Sequence, residues 1–324
     1  MSKGRNVRVG GGDFIYDFIP DWGKLPEGYD FGGVPDGAVD AEGNVYVFSR
    51  SDHPIMVFDS DGNFIRSWGE KIFRRPHGAY ISSDAFYCVD DFQHTVRKCT
   101  LAGEVLMMLG TPDMASDTGY DGKDWRTIKH PGPPFNRPTS LALAPTGEMY
   151  ISDGYGNCRV HKFSPDGKLL FSWGEPGLGP GQFSIVHTVR VDSQGTVYVS
   201  DRESDRIQLF TPDGEYITSW TDFHRPCGMF FDADDNLYVG EMQTNATPTR
   251  PANPAQISIY SRQGQRLARW GDFDIWKDGN IFAPHGIWGD PHGNIYIGEL
   301  TSDSQSGNKP AGYPCIHKLI RVRR

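Results

Sequence analysis

The chain has 324 residues, of which 37% are hydrophobic and 13% aromatic, enough to bury a large core. Its net charge of −9, from 32 basic and 41 acidic residues, argues against a nucleic-acid partner, because phosphate binding needs clustered Lys and Arg. No stretch approaches the roughly 18–20 apolar residues of a membrane helix, so no membrane partner is expected.

The N-terminal MSKGRNVRVGGGDF has basic residues with no apolar run behind them, so no secretory signal is read there. Cys88, Cys99, Cys158, Cys227 and Cys315 are odd in number, scattered and without a CxxC pair. That pattern predicts thiols in a reducing compartment, hence a cytoplasmic location.

In chain order, the first strand signal is Asp13-Phe14-Ile15-Tyr16-Asp17-Phe18, followed by Trp22-Gly23. It reads as the closing strand of a unit that begins elsewhere. Six copies of one unit follow, over roughly 37–75, 77–111, 139–175, 187–222, 227–272 and 285–324. Each has a strand after a proline-type corner, a turn, a Tyr-containing strand, a loop, a third strand, a second turn and a fourth strand often ending Trp-Gly. The turns DSDG, SPDG, TPDG and SRQG supply the positive φ that tight hairpins need. Four short strands repeated every 40 to 50 residues or so predict an all-β, six-bladed β-propeller, a single domain over 1–324. The sixth copy stops at IHKLIRVRR without a fourth strand. Residues 13–23 are therefore expected to complete it, closing the ring and covering its edges.

The corner entering each unit reads Pro35-Asp36-Gly37, Pro76-His77-Gly78, Pro138-Thr139-Ser140, Val186-His187-Thr188, Pro226-Cys227-Gly228 and Pro284-His285-Gly286. Its middle residue is histidine in alternate copies. In a six-fold ring His77, His187 and His285 would lie about 120° apart around one axis. Three convergent imidazoles can hold zinc (Zn2+) or a similar divalent ion and leave a position open for substrate. The template is interrupted at Pro112–Asn136, Gln243–Ala255, Phe273–Ala283 and Thr301–Pro314, loops predicted to gather on the face of the corners.

Past each Tyr strand lie further candidates. Arg50 and Arg202 share one repeat phase, and Tyr155 sits one step further along. An arginine there can clamp a carboxylate, and a tyrosine can act as a base if metal or guanidinium stabilises its phenolate. Asp90, Asp153, Asp201, Glu241 and Glu299 share a neighbouring phase and read as loop caps. His53, close to Arg50, is a candidate for a supporting role.

These residues resemble the catalytic domain of peptidyl-α-hydroxyglycine α-amidating lyase, a six-bladed propeller of NHL-type repeats. ISDGYGNCRVHKFSPDGKLLFSWGE is similar to the stretch carrying that family's catalytic tyrosine, which implies the role for Tyr155. SRSDHP resembles the segment of its catalytic arginine, here Arg50, and SDRESDRIQLF a segment with a substrate-facing arginine, here Arg202. His77, His187 and His285 fall on its three zinc-ligand positions. The chain departs from the family at Gly286, where a calcium carboxylate would stand, so a structural Ca2+ near Gly37 and Ala79 is doubtful. It departs also at Ala283, in place of a methionine, and at Gly156, in place of a disulfide cysteine. The resemblance implies C–N cleavage of an N-acyl or N-substituted α-hydroxyglycine, a carbinolamide, to an amide and glyoxylate. The partner implied is a small-molecule substrate bearing a carboxylate or hydroxy-acid group. A metal-dependent lactone or ester hydrolase and a non-catalytic NHL binding module are the alternatives.

Overall fold

The computed structural model describes residues 7–248, 251–303 and 307–323. It is all-β: apart from the single 3-10 turns Trp125–Thr127 and Arg202–Ser204, the regular elements among the described residues are strands. The chain divides into two compact units, Lys71–Pro226 and Met1–Glu70 with Cys227–Arg324.

The unit Lys71–Pro226 carries three four-stranded antiparallel blades. The first comprises Pro76–Ile81, Ala85–Asp90, Thr95–Thr100 and Val105–Leu109. The second comprises Pro138–Leu143, Met149–Asp153, Arg159–Phe163 and Leu169–Trp173, and the third Val186–Val191, Val197–Asp201, Arg206–Phe210 and Tyr216–Trp220. The inner strand Pro138–Leu143 packs against both Pro76–Ile81 and Val186–Val191. Second strands are buried on both faces, as in Met149–Asp153, because a neighbouring blade covers each side. Outer strands such as Leu169–Trp173 are half exposed, so their apolar signal is weaker.

The other unit holds the blade Asp36–Val39, Val45–Phe48, Ile55–Phe58 and Phe64–Trp68, and the blade built on Leu237–Glu241, Gln256–Tyr260 and Arg266–Trp270. Its third blade combines Pro284–Gly289, Ile295–Glu299 and Ile316–Arg321 from the end of the chain with Phe14–Pro20 from the start. Tyr16 pairs with Arg321 and Pro20 with His317, and Trp22 donates its backbone N–H to Ile316 O at 3.2 Å. The closing strand therefore lies where the repeat phase put it, and the six sheets are the blades of a six-bladed β-propeller. A fifth strand, Val7–Gly11, pairs outside Phe14–Pro20. The sequence reading missed it because Gly10 and Gly11 are poor strand formers and only Val7 and Val9 carry the alternation.

The repeated tyrosine of the second strand is buried between blades, and at Tyr150 and Tyr238 its hydroxyl finds a partner. Tyr150 donates to Pro212 O at 2.8 Å, and the Tyr16 and Tyr238 hydroxyls meet at 2.9 Å under the Arg321 guanidinium. Burial pushes the Tyr16, Tyr150 and Tyr238 phenols above their ordinary pKa.

Four of the corners end in glycine, at 37, 78, 228 and 286, and close approach requires it there. A Cβ at Gly286 would lie 2.6 Å from Pro35 O and 2.7 Å from Asp36 Cα, both backbone atoms that cannot swing aside. Gly78 meets Thr139 O at 2.5 Å in the same way. Gly286→Ala is therefore expected to destabilise the protein by about 1–3 kcal/mol through overpacking. Chemical denaturation would show this as a lower midpoint, and an unchanged midpoint would refute the packing account.

Candidate metal centre

Each histidine corner is anchored by a buried carboxylate at the end of its own blade's second strand. Asp90 accepts the backbone N–H groups of Arg74 and Arg75 ahead of His77, at 2.6 and 3.2 Å. Asp201 accepts those of Ser184 and Ile185 ahead of His187, at 2.9 and 3.2 Å. Glu299 accepts those of Phe282 and Ala283 ahead of His285, at 3.1 and 2.5 Å. Asp153 does the same for Asn136, and Glu241 binds Gln256, Ser258 and Arg269. Their hydrogen-bonding capacity is spent on the scaffold, as expected of loop caps. Desolvation pushes the Asp201 carboxyl above its ordinary value against the pull of these hydrogen bonds.

The anchored corners present their histidines with one nitrogen committed. His77 Nδ1 lies 2.6 Å from Thr139 O and His285 Nδ1 lies 2.8 Å from Pro35 O. A carbonyl can only accept, so both rings carry their proton on Nδ1 and offer Nε2 as the ligating atom. His187 places Nδ1 3.3 Å from Thr188 Oγ1. All three imidazoles are buried, and within Lys71–Pro226 the rings of His77 and His187 lie 5.1 Å apart. Imidazoles fixed by outer hydrogen bonds suit a zinc-class ion, so the three histidines could form a metal site.

Within Lys71–Pro226 the site reaches Tyr155. Its hydroxyl oxygen lies 3.0 Å from His77 Nε2 and 3.2 Å from His187 Nε2, with the ring edge-on to both imidazoles. Arg202, in the 3-10 turn after Val197–Asp201, donates Nη1–H to the same oxygen at 3.2 Å. Arg202 Nε meanwhile pairs with Glu203 at 2.9 Å, which holds the Glu203 carboxyl low despite its burial. Tyr155, His77, His187 and Arg202 are therefore one hydrogen-bonded group. Arg202, expected to face substrate, is in contact with the phenol.

Arg50 belongs to the other unit. It is half-buried after Val45–Phe48, with its backbone N–H on Gly33 O at 2.8 Å. His53 stacks on Tyr29 at 3.6 Å and pairs with Glu70 at 3.2 Å, which accounts for it by packing. Gly286, lacking space for a Cβ, cannot carry a calcium carboxylate, and Ala283 packs with Phe282, Leu300 and Tyr313.

Sequence reasoning missed Arg75 and Arg137. Their guanidinium carbons lie 6.0 and 5.3 Å from the Tyr155 ring centroid, alongside Arg202 at 5.3 Å. Both pair with the buried Asp91, at 3.1 and 2.9 Å. Arg137 holds a left-handed backbone, φ 66°, steadied by its N–H on His94 Nδ1 at 3.0 Å. The missed signal is again one of phase: the residue before the corner proline is arginine at 75, 137 and 225. Gly156, next to Tyr155, admits this neighbourhood, since a Cβ there would meet Asn136 Oδ1 at 2.2 Å and Tyr120 Cδ1 at 2.9 Å.

A family model for the NHL repeat matches residues 135–163. Human NHL repeat-containing protein 3 is 36% identical over 220 residues, 64% of this chain and 60% of that protein. Rat peptidylglycine alpha-amidating monooxygenase is 32% identical over 90% of this chain and 32% of its own length. Peptidyl-alpha-hydroxyglycine alpha-amidating lyase 2 of Drosophila melanogaster is 25% identical over 86% of this chain and 71% of its own. The chain thus spans 60% or less of the first two relatives. Among solved structures, a streptogramin B lyase shares the fold with a TM-score of 0.56 at 14% identity, over 94% of this chain and 97% of that one. The chain is a six-bladed β-propeller that carries an NHL-repeat match and resembles the peptidyl-α-hydroxyglycine α-amidating lyases.

Proposed function

We propose that this protein is a metal-dependent lyase that cleaves the C–N bond of an N-acyl α-hydroxyglycine, giving an amide and glyoxylate. The observation that carries the reading is the Tyr155 oxygen, set against Nε2 of both His77 and His187 and under a donating Arg202. When bound, a zinc-class ion at His77, His187 and His285 supplies Lewis acidity toward the substrate's oxygen atoms.

The residues of the chain do the rest. Tyr155, as phenolate, accepts the proton of the substrate's α-hydroxyl group. The hydroxyl oxygen becomes the aldehyde oxygen of glyoxylate, and the C–N electron pair leaves on the amide nitrogen. Tyr155 then returns its proton to that nitrogen, so no proton is gained or lost overall. Arg202 stabilises the phenolate, and the guanidiniums of Arg75 and Arg137 around its ring act in the same sense. Arg50 is assigned to the charge developing on the substrate. The substrate's own carboxylate suits this arginine-rich neighbourhood. A cytoplasmic location is proposed with it, on the odd number and scattered spacing of the five cysteines.

Zinc-loaded protein is expected to release glyoxylate and amide in equal amounts from an N-acyl α-hydroxyglycine, and chelator is expected to abolish release. Absence of glyoxylate above the uncatalysed rate from fully loaded protein would sink the reading.

A further inference from the structure

Beside Tyr155 the unit Lys71–Pro226 holds a cleft of about 360 Å³ lined by Arg74, Phe92, His94, Tyr120, Asn136 and Arg137. Its walls join the Tyr155 loop directly. Thr118 Oγ1 donates to Gly156 O at 2.6 Å, Gly156 N–H donates to Asn136 O at 3.0 Å, and Arg137 reaches over the Tyr155 ring. The long loop 112–136 thus forms one side of a cleft that borders the Tyr155 loop.

The polar groups of this cleft are biased toward donors. His94 Nδ1 accepts the backbone N–H of Arg137, so its own proton sits on Nε2. Burial holds the His94 pKa below its ordinary value, which favours that neutral donor form. The Tyr120 oxygen accepts from Arg137 Nη1 at 3.1 Å, leaving its O–H to donate elsewhere. Arg74 is exposed and spends Nη1 on Asp113 at 2.7 Å, one of its five N–H groups. Asn136, the other amide in the wall, has its Nδ2 committed to Ser116 O and its Oδ1 packed toward Gly156. Arg74, Arg75 and Arg137 bring three guanidiniums to this side of the unit, Arg74 paired with Asp113 and the other two with Asp91, above backbone N–H groups held by Asp90 and Asp153. Phe92 lies between these groups, with the Arg75 and Arg137 guanidinium carbons each 4.7 Å from its centroid.

We propose that this cleft is the subsite for the N-acyl portion of the substrate and selects an acyl chain ending in a carboxylate. The proposal rests on the lyase reading and narrows its substrate to a dianion. One carboxylate is that of the hydroxyglycine, and the second is met by Arg74 and Tyr120. A donor-lined wall with an exposed guanidinium favours a carboxylate over a neutral chain, and guanidinium can meet it with two parallel hydrogen bonds.

The test compares two unreactive ligands of similar reach, N-succinylglycine and N-butyrylglycine, by calorimetric titration of zinc-loaded protein. N-succinylglycine is expected to bind at least about tenfold tighter, the order of one charge-assisted hydrogen bond. Arg74→Gln and Tyr120→Phe should each pull the ratio of the two dissociation constants toward one. Equal affinities in the wild type, no measurable binding of either ligand, or a ratio unchanged in both variants would overturn the subsite. Because binding is read without turnover, the two readings fail separately. A preserved preference without glyoxylate release defeats only the lyase reading, and release without preference defeats only the subsite.

Discussion

Tyr155→Phe is expected to lower glyoxylate release by about 100- to 10,000-fold while metal content stays at the wild-type level. The substitution removes one oxygen and leaves the ring that packs edge-on against His77 and His187. His77 keeps its Nδ1 bond to Thr139 O, and Asp90 and Asp201 keep their corners, so the imidazoles have no reason to move. The loss should therefore fall on kcat, because the group removed exchanges a proton with the reacting atoms. Turnover and elemental analysis on the same preparation check this. Activity within about threefold of wild type would remove Tyr155 from the chemistry and leave it a packing residue.

His187→Ala carries the second large effect. It deletes one of three imidazoles from a site with no fourth histidine in the corner ring, and zinc affinity is expected to fall at least about 100-fold. The fold should survive, because the strand Val186–Val191 is held by its ladder to Val197–Asp201 and by Asp201 on the N–H groups of Ser184 and Ile185. Competition with a chromophoric chelator measures the affinity, and circular dichroism confirms the β-structure. A folded variant that keeps its full zinc complement through dialysis would show that the metal lies elsewhere.

The fold was legible because its information is periodic. A buried tyrosine, a hairpin turn and a corner recur six times, and each repetition corrects the reading of the others. Phe14–Pro20 was legible for the same reason, since the sixth copy lacked only that strand. Val7–Gly11 was not, because its glycines carry no strand signal and the strand itself lies outside the four-strand repeat, beyond Phe14–Pro20.

The site was legible where side-chain direction follows backbone phase. His77 and His187 share a corner position, and their side chains meet at Tyr155. It was illegible where direction depends on a local departure. Arg137 reaches Tyr155 and Asp91 from a left-handed residue ahead of a proline, a geometry no propensity foretells. His53 is three residues from Arg50 in sequence, yet its ring stacks on Tyr29. Arg202 matched a substrate-facing segment, while its short turn carries it to the phenol oxygen.

The carboxylate beneath each histidine corner has a consequence for how such a ring can change. Asp90, Asp201 and Glu299 hold backbone N–H groups ahead of the histidines and make no use of the histidine side chains. What fixes the loop is therefore separate from what the loop displays. A mutation at the displayed position alters the chemistry of the mouth without loosening the support below it. Asp36, Thr139 and Cys227 hold the corresponding places in the remaining copies. Such a scaffold lets new ligand sets be sampled one substitution at a time, each on a protein that still folds.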